Sequence, residues 1–172
     1  MKTLIVLLRG VNVSGTHKLP MKPLQQLLSK HGFKEVKTYI QSGNIVLKTS
    51  LSLKELKIQR HDIIEHTYGY HLQIIVKTPE DIQRIHDQNP FKMAENKQIY
   101  LTFLSQVCSD KTILVDSKDD MFSIIDDVVY IHVLGGYGKT KLTNNFFERK
   151  LNISATTRNF KTTNYLLELA KI

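Results

Sequence analysis

Cysteine is almost missing: Cys108 is the only one, so no internal disulfide can form, and the chain suits a reducing compartment. With no activating partner near it in sequence, Cys108 is expected to be a buried, inert thiol. Long apolar runs are missing too. The opening Leu4-Ile5-Val6-Leu7-Leu8 stops at Arg9, short of the roughly 7–15 residues of a secretion signal. No stretch approaches the ~18 apolar residues of a membrane span. A cytoplasmic protein without a membrane partner is expected. No Gly-x-Ser-x-Gly elbow occurs, and the seven histidines show neither His-x3-His spacing nor a companion cysteine pair. His61 and His66 stand five apart, which turns them to different sides of a helix. Neither serine-hydrolase chemistry nor a metal is implied, and no cofactor is expected.

Acidic residues are the minority charge, 16 against 24 Lys/Arg, and the resulting +8 is uneven. Residues 1–78 carry 12 Lys/Arg against 4 Asp/Glu, residues 79–134 carry 5 against 10, and residues 135–172 carry 7 against 2. A basic first half and tail around an acidic middle can attract nucleic acid or a phosphorylated small molecule. The same layout also serves packing between the halves, an oligomer, or plain solvation. What is present otherwise is a globular composition, 41% apolar and 23% charged over 172 residues. That length makes one ordinary domain or two small ones and can bury about 70% of the unfolded surface.

Five consecutive aliphatics, residues 4–8, predict a central strand covered on both faces. A polar loop follows, with Arg9, Gly10, Asn12, Ser14, Gly15, Thr16, His17 and Lys18. Next comes a helix placing Leu24, Leu27, Leu28 and His31 on one face, with Pro23 in its first turn and Gly32 as its left-handed stop. His31 suits the negative end of that helix. Val36–Ile40 and Ile45–Leu47 predict a hairpin across Gln41-Ser42-Gly43-Asn44. Ser52-Leu53-Lys54-Glu55 is a capping box, opening a helix with an inner face of Leu53, Leu56, Ile63 and Ile64 that ends at Gly69. Leu72–Val76 predicts a fourth strand. This order, β-α-β-β-α-β, is the split βαβ of ferredoxin-like folds.

Thr78-Pro79-Glu80-Asp81 starts another helix, with Ile82 and Ile85 inward and Asn89-Pro90 as its stop. Beyond it the pattern restarts: a strand over Ile99–Leu104, a short helix or turn over 110–117, and a hairpin of Met121–Ile125 with Val128–Leu134 across Asp126-Asp127. A glycine-rich loop, a helix from Thr143 to Leu151 and a final helix capped by Asn159 complete the chain. The expected class is α+β: two ferredoxin-like, βαββαβ-type subdomains over 1–78 and 79–172, with mainly antiparallel sheets and a C-terminal helix.

Topology then brings distant loops together. In a split βαβ the first two strands run parallel and the third returns between them. The exit of the first strand and the turn at 41–44 therefore share one end of the sheet, where the fourth strand also begins, after Tyr68-Gly69-Tyr70-His71. Arg9, Asn12 and Lys18 are expected to converge there with Gln41, Ser42 and Asn44, and with Tyr68 or His71, a set suited to phosphate or carboxylate. The competing expectation is structural: Ser42 and Asn44 serve the turn, Asn12 caps the loop, and Arg9 pairs with a neighbour.

Val133-Leu134-Gly135-Gly136-Tyr137-Gly138-Lys139-Thr140 partly matches a phosphate-binding loop, but Val133 stands where its first glycine belongs. A looser anion contact through Lys139, Lys141 and Arg158 is the alternative. The adjacent pairs Asp119-Asp120 and Asp126-Asp127 are read as hairpin punctuation, since neighbours on a strand face opposite ways. An RNA-recognition module, which stacks bases on aromatics of its central strands, is excluded because Leu4–Leu8 and Ile45–Leu47 hold aliphatics.

Several separated segments carry a family likeness: Leu7-Leu8-Arg9-Gly10-Val11-Asn12-Val13, Leu19-Pro20-Met21, Gly32-Phe33, Thr38 to Val46, Lys141-Leu142-Thr143-Asn144 and Ala155-Thr156-Thr157-Arg158-Asn159. Over nearly its whole length the chain resembles the bacterial family of unknown function numbered sixteen ninety-seven. That resemblance implies a two-part α+β protein with ferredoxin-like halves and brings no established activity. Phe160 stands where the family pattern has a tryptophan, a change expected to affect packing. The polar Thr156-Thr157-Arg158-Asn159 precedes a helix, where it suits an anion or a cap.

The functional expectation is a binding protein for an anionic ligand, nucleic acid or a nucleotide. Arg9, Lys18 and Arg158 would supply charge, and Asn12, Gln41, Ser42 and Asn44 hydrogen bonds. One alternative is an enzyme on a small phosphorylated or carboxylated substrate, with His71 or Tyr39 as acid-base group. The other is an interaction or oligomerisation module without a ligand.

Overall fold

The aliphatic run at the start forms strand β1 (Lys2–Leu8), and Leu4 through Leu8 are all 0% exposed. Both faces of this strand are sealed, as an unbroken apolar run requires. The computed structural model describes residues 1–109 and 112–171, leaving out the side chains of residues 60 and 61. The chain divides into two compact units, Met1–Gln83 with Tyr165–Ile172, and Arg84–Asn164.

In the first unit β1 is followed by α1 (Met21–Lys30), β2 (Lys34–Tyr39), β3 (Asn44–Thr49), α2 (Leu53–Tyr68) and β4 (Ile74–Lys77), and α3 (Pro79–Asp87) begins in it. The sheet order is β2-β3-β1-β4, with every pair antiparallel. Leu4, Val6 and Leu8 of β1 pack with Leu24 and Leu28 of α1, Ile45 and Leu47 of β3, and Leu56 and Ile64 of α2. Each such side chain contributes roughly 2 kcal/mol by leaving water.

Local chemistry sets the helix ends. Ser52 Oγ accepts from the Glu55 amide at 3.2 Å while Glu55 Oε2 accepts from the Ser52 amide at 2.7 Å, and Gly69 closes α2 in the left-handed conformation at φ +71°. These hydrogen bonds hold the Glu55 carboxyl below the usual carboxylate range. Thr78 and Asp81 cap α3 reciprocally, at 3.0 and 3.1 Å. Two expectations need correcting. Leu53 is 40% exposed although its helical angle suits the inner face, because it opens the first turn of α2. His31 is exposed one residue beyond α1, with its Nδ1 2.9 Å from the Leu27 carbonyl.

The second unit repeats the strand order. It holds β5 (Ile99–Leu104), β6 (Met121–Ile125), β7 (Val128–His132), α4 (Asn144–Leu151), β8 (Ala155–Asn159) and the start of α5 (Phe160–Lys171). The sheet runs β6-β7-β5-β8, again antiparallel throughout. Its core gathers Leu104, Val129, Ile131, Leu142 and Phe147, with Cys108 buried among them. Residues 110 and 111 lie outside the described residues, and 112–117 form neither helix nor turn, contrary to expectation. The strand missed from the sequence is β8, whose Thr-Thr-Arg-Asn composition reads as a loop although Thr156 and Arg158 are buried. Among the described residues, no helix is long and apolar enough to cross a membrane.

Candidate functional site

The exit of β1 is tied to both of its neighbours. The Leu8 amide donates to the Gly43 carbonyl at 2.9 Å, and the Arg9 amide donates to the Gln73 carbonyl at 3.0 Å. Asn12 joins the loop to the β2–β3 turn: its Nδ2 donates to the Gln41 carbonyl at 2.7 Å and to the Leu19 carbonyl at 2.8 Å. Its Oδ1 accepts from the Leu19 amide at 2.8 Å. Asn12 is left-handed at φ +54°, a conformation that asparagine tolerates better than most residues. The first loop, the 40–43 turn and the approach to β4 therefore form one rim.

Gly43 makes the close approach possible. A Cβ there would sit 2.6 Å from Val11 Cγ2 and 2.8 Å from Leu8 Cβ, and its φ of +75° independently favours glycine. Asn44 is wholly buried, donating from Nδ2 to the Tyr39 carbonyl at 3.1 Å and to Ser42 Oγ at 2.8 Å. Thus Asn12, Ser42 and Asn44 build the frame of the rim. The Gln41 and Lys18 side chains are exposed upon it, and Arg9 is half-buried.

Two features of this rim go beyond the expected placing of Tyr68 or His71 upon it. One is an aromatic row: the rings of Tyr68 and Tyr70 lie 6.3 Å apart and 16° from parallel, and His17 meets Tyr70 at 5.0 Å, edge-on. The Tyr-Gly-Tyr signal was visible, but its meeting with His17 needed the fold. Partial burial raises the Tyr68 hydroxyl above its ordinary value. The other is backbone conformation. Asn12, Ser14, His17 and Ile40 all have positive φ, and Ile40, β-branched and 49% exposed, is the least suited to it. Of the two acid-base candidates, Tyr39 packs against Tyr165 at 4.2 Å, and His71 Nδ1 lies 3.5 Å from Glu65 Oε1.

Arg158 belongs to the second unit, on β8. It is buried, and its Nη1 donates to Thr156 Oγ1 at 2.7 Å and to the Thr157 carbonyl at 2.9 Å. Burial pulls its guanidinium down to about 10. Nearby polar groups are also linked inward: Thr102 Oγ1 lies 2.7 Å from Thr157 Oγ1, which donates to Asn144 Oδ1 at 3.0 Å. Asn159 caps α5, its Oδ1 accepting from the Thr162 amide at 2.7 Å.

The glycine-rich loop does not form a phosphate-binding cradle on a helix. Lys139 ends a single 3-10 turn, Thr140 Oγ1 accepts from the Leu142 amide, and α4 starts only at Asn144. Beside it lies a cleft of about 270 Å³ in which Lys139 and Lys141 share the walls with Asp119 and Asp120. Lys141 Nζ donates to the Asp116 carbonyl at 3.0 Å, and Asp120 Oδ1 accepts from the Leu134 amide at 3.0 Å. Charges of both signs thus line this cleft. Among the described residues, no three His, Cys, Asp or Glu gather as a metal would need.

Comparison with known proteins places this architecture. The chain is similar over 98% of both lengths, with a TM-score of 0.73, to the conserved bacterial protein SP0830 from Streptococcus pneumoniae. At 21% identity this likeness concerns the fold. No curated protein matches the chain. The family described as a protein of unknown function, DUF1697, matches residues 1–130, a span that holds the entire rim from Arg9 to Gln73. The chain therefore belongs to the DUF1697 family.

Proposed function

We propose that the loop rim of the first unit binds an anionic ligand, with nucleic acid or a nucleotide as the best fit. The observation that carries this reading is the Asn12 tie to Gln41, which holds the loop bearing Arg9 and Lys18 against the neighbouring turn. Positive charge is thereby presented on a fixed frame. The first unit carries 13 Lys/Arg against 7 Asp/Glu, and the second 11 against 9, so the long-range field also favours an anion at the first. Left-handed residues gathered in one loop support the same reading, because strain of this kind concentrates at binding and catalytic segments. Arg9 and Lys18 supply the charge, Gln41 an exposed amide, and Asn12, Ser42 and Asn44 the support. Arg158, buried in the second unit, holds β8.

A filter-binding titration against RNA, DNA and nucleotides at low salt tests the proposal. Binding is expected, with affinity for the polymers falling steeply as salt rises. Lys18→Gln is expected to lower the salt slope by about one. No binding to any of them at low salt overturns the reading.

A further inference from the structure

Resting on the reading of this rim as an anion site, we infer that its ligand is single-stranded nucleic acid, with an unpaired base stacked on the row formed by His17, Tyr70 and Tyr68. These three rings come from separate pieces of chain. Tyr68 ends α2, Gly69 turns the backbone at φ +71°, and Tyr70 leads toward β4. His17 arrives from the β1–α1 loop, with its Nδ1 3.0 Å from the Gly10 carbonyl. Tyr68 and Tyr70 rest on the core of the unit yet remain half-buried rather than sealed. His17 is exposed, and the next residue is the exposed Lys18. Near-parallel Tyr68 and Tyr70 rings, met edge-on by His17, thus share a loop cluster with Lys18, and ring faces beside a cation are the pairing by which proteins hold a base and its phosphate together.

The sheet itself leaves no such surface. Leu4–Leu8 and Ile45–Leu47 are aliphatic and buried, so bases cannot stack on the central strands as they do in RNA-recognition modules. Val13 and Ile40, each next in sequence to a residue of the Asn12–Gln41 tie, are 54% and 49% exposed. Those aliphatics give a neighbouring base an apolar rest. Duplexes hide the faces of their bases, so the row favours single strands over duplex at equal phosphate count.

Fluorescence anisotropy of the full chain with a short labelled single strand, at low salt, tests the inference. Unlabelled competitors are the matching duplex, the mononucleotide and linear polyphosphate of equal charge. The single strand is expected to bind roughly tenfold tighter than duplex or polyphosphate, in the range that one or two stacked bases supply. Tyr70→Leu is expected to remove most of that advantage and leave the affinity for polyphosphate unchanged. Because Tyr70 touches the core, His17→Asn is the second variant: it deletes an exposed ring and keeps a residue that tolerates left-handed backbone. It is expected to weaken the single strand severalfold. Tyr70→Trp keeps a stacking face and gives the chain its only tryptophan, whose emission should quench as the strand binds. Equal competition by polyphosphate, with both ring deletions silent, overturns stacking and leaves the anion site standing. Mononucleotide binding as tight as the oligomer overturns the polymer and keeps the stacked base. No binding by any competitor overturns both.

Discussion

The two units share a strand order, β2-β3-β1-β4 in one and β6-β7-β5-β8 in the other, yet they spend their polar residues differently. In the second unit polarity turns inward: Thr102 meets Thr157, Arg158 holds Thr156 and the Thr157 carbonyl, and the buried Tyr130 hydroxyl donates to the Ile85 carbonyl at 2.9 Å. In the first unit it gathers at one rim, where amides bind loop to turn and leave Lys18, Gln41 and His17 outside. Left-handed residues occur in both units. Asp126 and Asn152 serve a hairpin and a helix end, for which their residue types are suited, and Glu35 and Lys118 lie away from the rim, while Asn12, Ser14, His17 and Ile40 cluster on it. One strand order is thus finished with inward polar contacts in one unit and with an exposed polar rim in the other.

The strongest challenge to this contrast is Gly43→Ala. Its Cβ would enter space held by Val11 and Leu8, and its backbone would be strained, so a loss of ~3 kcal/mol or more is expected in urea unfolding. A loss below about 1 kcal/mol would mean that the turn does not depend on that close approach. Asn12→Ala removes three hydrogen bonds, two within the loop and one from loop to turn, and is expected to lower stability by about 2 kcal/mol. If the amide frame belongs to the binding surface, this variant also loses oligonucleotide affinity beyond what its unfolded fraction explains.

In the second unit, Tyr130→Phe is expected to cost about 1 kcal/mol at neutral pH by leaving the Ile85 carbonyl without its hydroxyl partner. Burial pushes the Tyr130 hydroxyl up to about 12, against 10 in the unfolded chain. Its contribution is therefore complete below pH 10 and is lost as pH climbs through 12. Arg158, pulled down to about 10, acts in the opposite direction over the same range, since its burial penalty lifts as it loses its proton. Comparing the alkaline unfolding of Tyr130→Phe with that of the parent cancels the arginine, and the variant should show the shallower decline. The smallest stability effect is expected at Ile40→Gly. Relief of left-handed strain, of order 1 kcal/mol, is offset by glycine's larger unfolded entropy, so the unfolding midpoint should barely move. Oligonucleotide affinity should nevertheless fall, which distinguishes a presented side chain from a structural one.

Much of the frame was legible in the sequence because it rests on local chemistry. The aliphatic run of β1, the Ser52–Glu55 box and Gly69 each announce their element, and the split βαβ order then dictates which loops meet. The strand β8 was not legible. Thr156 and Arg158 are polar residues buried by tertiary contacts, and no periodicity marks them as a strand. The roles of Asn12 and Asn44 could be posed only as alternatives, since the same amide can face a ligand or a carbonyl. Their hydrogen bonds show the second use. The His17–Tyr70 contact lay deeper still, because it joins residues 53 positions apart in a loop without regular structure.

The most direct measurement is a two-dimensional amide NMR titration of the 19.8 kDa chain with a short single-stranded oligonucleotide at low salt. The account predicts that shifts concentrate at residues 9–18, 40–43 and 68–73 and recede as salt is added. Shifts centred on the second unit, or none at any concentration, would contradict it.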